Sequence, residues 1–171
     1  MGSEFLGHIC PVVSWSSVRI LMTLSRLHNL HTKSVDFVQA YPQAIFKSII
    51  HLFPPAGIIL NQENEEMVLK LLKNIYGLKD AGLTWFERLS KGLDEMVFKL
   101  MASDSCIVKN GSNIVVLYVD DCITLSRTKE EADIIFIDLH NKGYKMTDEG
   151  TMKEYLGILF INNSDGSFRM S

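Results

Sequence analysis

The chain has 171 residues, 47% hydrophobic and 22% charged, with a formal net charge of −3 and a pI near 5.9. The length fits one domain, and the apolar content supports a real core and argues against wholesale disorder. The acidic balance excludes a general attraction to phosphate backbones, which a basic surface would supply through counterion release.

Three cysteines, Cys10, Cys106 and Cys122, form no CxxC pair and no even set. This argues against a zinc site or a disulfide framework and for a reducing compartment. The longest apolar runs, such as residues 114–119, are far too short to span a bilayer, and no signal-peptide pattern opens the chain. The expectation is an intracellular protein that is neither secreted nor membrane-bound. Residues 1–10 read as a leader outside the domain, which is expected to occupy residues 11–171.

In chain order, Ser14, Ser16 and Ser17 are candidate caps for a helix over about residues 17–28, with Val18, Leu21, Leu24 (with Met22) and Leu27 on its apolar face. Residues 33–40 read as a strand ended by Pro42, with Asp36 and Val38 on one side and Val35 and Phe37 on the other. Further strands are expected over residues 46–53 and 67–72. A helix follows over about 81–97, with Trp85, Phe86, Leu89, Leu93, Met96 and Val97 on its apolar face.

Two apolar segments, 106–109 and 114–117, flank Asn110-Gly111, the preferred pair for a tight hairpin. A second hairpin over residues 114–125 is expected to turn at Asp120-Asp121. Thr128 and Glu131 form a capping box that opens a helix through about residue 141, and Gly143 suits its stop. Residues 144–147, 154–162 and 167–170 are strand candidates. The mixture of hairpins and helices predicts an α+β fold, a sheet with helices on one side.

The sharpest chemical feature is Tyr118-Val119-Asp120-Asp121. Two adjacent carboxylates at a hairpin tip repel each other unless they are exposed or bound to a cation. Mg²⁺ takes one or two carboxylates and completes its octahedron with waters and substrate phosphates. A third acid on a neighbouring strand would let the tip hold two metals, able to activate a hydroxyl and stabilise a leaving pyrophosphate. The bland alternative is a solvated turn. Asp36 interrupts an apolar strand, where a carboxylate needs a partner or a metal, or else sits at a wet strand edge. Tyr41 is either an aromatic under a nucleotide sugar or simple rim packing.

Several of these segments together resemble one family. Val35-Asp36-Phe37-Val38-Gln39-Ala40-Tyr41 is similar to the first catalytic motif of the reverse transcriptases of copia-type LTR retrotransposons (Pseudoviridae pol). Ile75-Tyr76-Gly77-Leu78-Lys79 with the later Trp85 resembles its central motif, and Tyr118-Val119-Asp120-Asp121 its active-site box. Lys145-Met146-Thr147 followed by Glu154-Tyr155-Leu156-Gly157-Ile158 resembles the closing segment. Order and spacing agree over about residues 11–160.

The resemblance implies a right-hand polymerase palm, with the fingers incomplete and the thumb absent. It implies RNA-directed DNA synthesis by two-metal nucleotidyl transfer, with two Mg²⁺ ions for which Mn²⁺ can substitute. Asp36, Asp120 and Asp121 would be the catalytic metal ligands. Tyr41 would gate the sugar, Gly77 and Lys79 would lie against the incoming nucleotide and template, and Tyr118 would belong to the active-site box. Tyr155 and Gly157 would lie near the primer terminus. The implied partners are an RNA or DNA template-primer, a deoxynucleoside triphosphate, and the fingers, thumb and RNase H portions of a parent polyprotein. The implied location is the cytoplasm, in a virus-like particle.

The chain departs from the family pattern at Asp80, where a neutral amide is usual, at Leu83 in place of a nearby basic residue, and over residues 45–53. Asp80 would repel a triphosphate, and without fingers the cations that stabilise phosphoryl charge are missing. This fragment alone is therefore expected to be weak or inactive. The alternative reading is an inactive retroelement relic that keeps the palm fold. A nucleotidyl cyclase would need a glycine-acid signature where this chain has Tyr118-Val119. The five histidines show no metal-ligand spacing. Lys70, Lys73 and Lys79 suit a solvated face as well as a template backbone.

Overall fold

A computed structural model describes residues 10–45, 48–58, 68–152, 154–155, 158–162 and 168–170. Residues 1–9, most of the expected leader, lie outside the described residues. Helix α1 spans Trp15–Leu27 and starts earlier than the apolar spacing suggests, because Ser14 is the cap. The Ser14 hydroxyl accepts from the Ser17 amide at 3.0 Å, satisfying one of the orphan donors of the first turn. The Ser14 amide and the Ser17 hydroxyl both donate to Asp104, at 3.0 and 2.7 Å, and tie the helix to the sheet. Burial works to raise the Asp104 carboxyl, but these bonds and one from the Cys106 amide outweigh it and hold it low.

Strand β1, His31–Phe37, stops before the expected Ala40. Gln39 turns left-handed at φ 50°, and a short helix α2, Ala40–Gln43, follows. Pro42 therefore lies in a first helical turn, where its missing N–H is harmless, rather than at a strand end. The Gln43 side chain secures this corner. Its amide donates to the Val38 and Lys145 carbonyls at 2.9 and 2.8 Å and accepts from the Lys145 amide at 2.8 Å.

The long strands expected over 46–53 and 67–72 reduce to β2, His51–Leu52, and β3, Leu69–Lys70, paired with each other. Phe46, Lys47 and Met67 are outside the described residues. Helix α3, Ala81–Asp94, ends short of the expected Val97. Val97 takes φ 66° and is exposed, while the Phe98 amide caps back to the Leu93 carbonyl at 3.0 Å and Phe98 enters the core. The buried stripe is Ala81, Trp85, Leu89 and Leu93. Full burial of a leucine such as Leu93 stabilises by about 1.5–3 kcal/mol.

Strands β4 (Lys99–Met101), β5 (Asp104–Asn110), β6 (Asn113–Tyr118) and β7 (Asp121–Ser126) follow as antiparallel hairpins. Asn110 pairs with Asn113, so the first turn is Gly111-Ser112, one residue later than Asn110-Gly111. Helix α4, Lys129–Asn141, is capped by Thr128, whose hydroxyl accepts from the Glu131 amide at 3.2 Å. The Glu131 carboxylate accepts from the Arg127 amide at 3.0 Å, one residue before the reciprocal partner the capping box predicts. Gly143, at φ 85°, ends the helix region.

Strand β8, Met146–Thr151, joins the main sheet beside β1, and β9 (Glu154–Tyr155), β10 (Ile158–Asn162) and β11 (Phe168–Met170) form a second sheet. The main sheet has six strands in the order β4-β5-β6-β7-β1-β8, and its neighbouring strands pair antiparallel. The fold is α+β, as the element pattern predicts. Phe37 meets Trp85 of α3 edge-on, with centroids 5.1 Å apart, and Lys33 bonds Asp133 of α4 at 2.5 Å. Both helices thus reach the face of β1 that carries Lys33, Val35 and Phe37. By strand alternation Asp36 faces the other way.

Lys33 is a buried cation held between Asp133 and Asp148 at 2.5 and 2.7 Å. Burial works to lower its ammonium, but the two carboxylates outweigh it and hold it above its ordinary value. The three cysteines are free thiols. Among the described residues no helix is long and apolar enough to cross a membrane.

Candidate active site

Strand pairing brings the sequence-distant acids together. Asp36 of β1 lies opposite Asp121 of β7, and Asp121 lies opposite Tyr118 of β6. On the other flank Asp36 lies opposite Thr147 of β8. Directly opposed residues in antiparallel strands share a face, so Tyr118, Asp121, Asp36 and Thr147 form one row across four strands.

The tip is Val119-Asp120 rather than Asp120-Asp121, because Tyr118 pairs with Asp121 and makes Asp121 the first residue of β7. Val119 takes φ 51°. A β-branched residue in the left-handed region is strained by about 1–2 kcal/mol. The tip is held on both carbonyls: the Phe37 amide donates to Asp120 at 2.7 Å and the Trp85 indole N–H donates to Val119 at 2.5 Å.

The electrostatics follow from this crowding. Burial, then the charges of Asp120, Glu149 and Asp36, push the Asp121 carboxyl up to about 6. Burial, Asp120 and Glu149 likewise raise Asp36. Opposed like charges destabilise a strand pair, so the row favours a proton or a cation.

The linear pattern assigns two neighbours of the acids no place beside them. Glu149 sits where the β1–β8 register shifts opposite Ser34 and Val35, and nothing in the linear pattern marks that bulge. Tyr76 stacks on Tyr41 with ring centroids 4.6 Å apart, tilted by 36°. It lies in the Ile75-Tyr76-Gly77-Leu78-Lys79 motif, before Gly77 at φ 95°, but nothing in that motif marks it as a neighbour of Tyr41. Burial, then Asp120 and Asp36, raise the Tyr76 phenol, and burial, then Cys10 and Asp120, raise that of Tyr41.

The other expected site residues are placed as follows. Gly77 and Lys79 are exposed between β3 and α3, and Tyr118 is half-buried in the acidic row. Tyr155 is buried, and its hydroxyl has no hydrogen-bond partner among the described residues. Burial, then neighbouring thiol and carboxyl groups, push its phenol up. Gly157 lies outside the described residues.

Donor chemistry and charge fit a hard divalent cation: oxygen ligands, mutually repelling, with two of them in register. Among the described residues no group of three or more His, Cys, Asp and Glu side chains is arranged to hold a metal by itself.

A family model described as reverse transcriptase (RNA-dependent DNA polymerase) matches residues 1–171. The retrovirus-related Pol polyprotein from transposon TNT 1-94 of Nicotiana tabacum is 27% identical over 165 residues, covering 94% of this chain and 12% of that polyprotein. The transposon Ty1-BL Gag-Pol polyprotein of Saccharomyces cerevisiae is 28% identical over 107 residues, covering 62% of this chain and 6% of that polyprotein. A truncated Ty1-A Gag-Pol polyprotein of the same yeast is 28% identical over 107 residues, 9% of its length. The chain thus spans a small part of these curated relatives. From the acidic row, the motif order and the match along its whole length, the chain belongs to the reverse transcriptase family, as a partial domain of the copia type carried by retrotransposon Pol polyproteins.

Proposed function

We propose that this chain carries the nucleotidyl-transfer centre of an RNA-directed DNA polymerase, with the six-stranded sheet as its palm. The observation that carries the reading is the cross-strand pairing of Asp36 with Asp121 beside the Asp120 turn. Asp36, Asp120 and Asp121 would hold two Mg²⁺ ions, or Mn²⁺ in their place. Bound there, the ions supply Lewis acidity for the attacking 3′-hydroxyl and for the leaving pyrophosphate.

The chain's own groups do the rest. The three carboxylates concentrate negative charge that divalent cations, shared with a substrate's phosphates, would neutralise. Tyr41, braced by Tyr76, would gate the sugar by bulk. Gly77 and Lys79 present an exposed segment to the incoming nucleotide and template, and Tyr118 borders the acids in the same row. Tyr155 and Gly157 belong to the segment nearest the primer terminus. The partners are an RNA or DNA template-primer, a deoxynucleoside triphosphate and further segments of a Pol polyprotein, with work inside the cell in a virus-like particle.

The test pairs cation binding with synthesis. Mn²⁺ binding followed by electron paramagnetic resonance, and primer extension on an RNA template with Mg²⁺, are measured for wild type and Asp120→Asn. The proposal expects Mn²⁺ binding in the wild type with at most weak primer extension, and neither signal in the variant. A wild type that binds Mn²⁺ but extends no primer would support an inactive relic with its acidic centre intact. A wild type that binds no cation overturns the proposal.

A further inference from the structure

We propose that Trp85 is a positioning residue for the acidic turn: its indole N–H holds the Val119 carbonyl and so keeps Asp120 beside Asp36 and Asp121. The inference deepens the reading of this turn as a cation-holding centre, and rests on that reading.

Three observations carry it. First, Val119 sits at φ 51° in a two-residue turn. A β-branched residue disfavours that region by roughly five- to thirtyfold, so the turn reverts to another shape unless something outside it holds it. Second, the outside grip is visible. The Trp85 Nε1–H donates to the Val119 carbonyl at 2.5 Å, and the Phe37 amide donates to the Asp120 carbonyl at 2.7 Å. Third, Trp85 is itself fixed. It is 1% exposed, and its ring meets Phe37 edge-on at 5.1 Å and Tyr144 at 6.1 Å.

These contacts make Trp85 a bridge between the two acid-bearing segments. Phe37 directly follows Asp36 on β1, and Val119 directly precedes Asp120 at the β6–β7 turn. One side chain on α3 packs on the first segment and hydrogen-bonds the second. A buried indole N–H ordinarily finds an acceptor; what sets Trp85 apart is that its acceptor is the carbonyl of a turn residue at positive φ. Here its single donor is spent on a strained carbonyl, and without it that carbonyl loses a partner.

The experiment is a double-mutant cycle between Trp85→Phe and Val119→Gly in the full chain, because glycine adopts positive φ without help. The first readout is hydrogen exchange at the Phe37 amide, measured against amides of β5. Trp85→Phe is expected to speed Phe37 exchange on the order of tenfold in the wild-type background and to change it little in the Val119→Gly background. Unchanged exchange in Trp85→Phe, or an equal effect in both backgrounds, overturns the proposal.

If Trp85→Phe does not fold, benzothienylalanine replaces the indole in a Trp15→Phe background. It keeps the ring shape and removes only the N–H donor, and Trp15 is 51% exposed. The same acceleration is then expected, and its absence overturns the proposal. Mn²⁺ binding is the second readout. Loss of the N–H is expected to weaken it on the order of tenfold, with recovery in Val119→Gly. A chain that binds Mn²⁺ equally with and without the N–H overturns the role of Trp85 and leaves the proposed function standing. A wild type that binds no Mn²⁺ while the exchange cycle couples as expected supports the grip on the turn and overturns the cation reading instead.

Discussion

The β5–β6 and β6–β7 hairpins share strand β6, and each closes through a two-residue turn, Gly111-Ser112 in one and Val119-Asp120 in the other. The first places glycine at φ 58°, with open space around it. The second places valine at φ 51° and carries a carboxylate beside two more. The first turn obeys local preference and needs no outside help. The second violates it and is held by Phe37 and Trp85. Strain kept in place by surrounding structure clusters at functional sites, and the contrast within one sheet supports the proposed centre at this turn.

The largest effect expected from breaking this contrast is at the acids. Asp120→Asn should weaken Mn²⁺ affinity by a hundredfold or more, roughly the loss of one charged ligand from a hard cation, while circular dichroism stays unchanged. Substitution at Ser112, the equivalent second position of the other turn, should leave Mn²⁺ affinity untouched.

Exchanging the turn residues sharpens the point. Gly111→Val should cost about 1–2 kcal/mol in urea unfolding, the penalty of a left-handed valine with nothing to hold it. Val119→Gly relieves the same strain but loses a half-buried side chain, so it should fall within about 1 kcal/mol of wild type. A similar cost at both sites would mean that the two turns are not under different constraint.

The pH response separates them next. The Asp121 carboxyl is pushed up to about 6 by burial and then by its acidic neighbours. A raised carboxyl binds its proton more tightly folded than unfolded. Its contribution is therefore full below about pH 4 and is lost as pH rises through about 6. Metal-free thermal stability should fall across that window, and Asp121→Asn should flatten the fall. Mg²⁺ should raise Tm more above the window than below it. The Gly111 turn, flanked by Asn110 and Asn113, has no titrating group to respond. The smallest effect is Ser112→Ala, expected within about 0.5 kcal/mol of wild type by urea unfolding.

Much of the architecture was legible in the linear pattern. Both hairpins follow from apolar segments around turn residues, and the Ser14 and Thr128 caps follow from side chains that satisfy free amides. Errors fell where tertiary contacts override local preference. The corner from β1 into α2 is not legible locally, because the Gln43 side chain bonds Val38, just past β1, and Lys145, just before β8, more than a hundred residues away. The end of α3 was misplaced because Phe98, not Val97, is buried. Both turns lay one residue from their expected places, since pairing register, and not the turn dipeptide alone, sets the tip.

The amino-acid order by itself determined the α+β class and the family and marked three acids as candidates, because these rest on local periodicity and on residue types at set spacing. Only the tertiary structure decided that Asp36 opposes Asp121, that Glu149 and Tyr76 join the centre, and that Val119 is held at positive φ. The physical reason is strand register. It depends on which distant strands pair, a shift of one residue moves every side chain to the other face, and no window of neighbouring residues carries that choice.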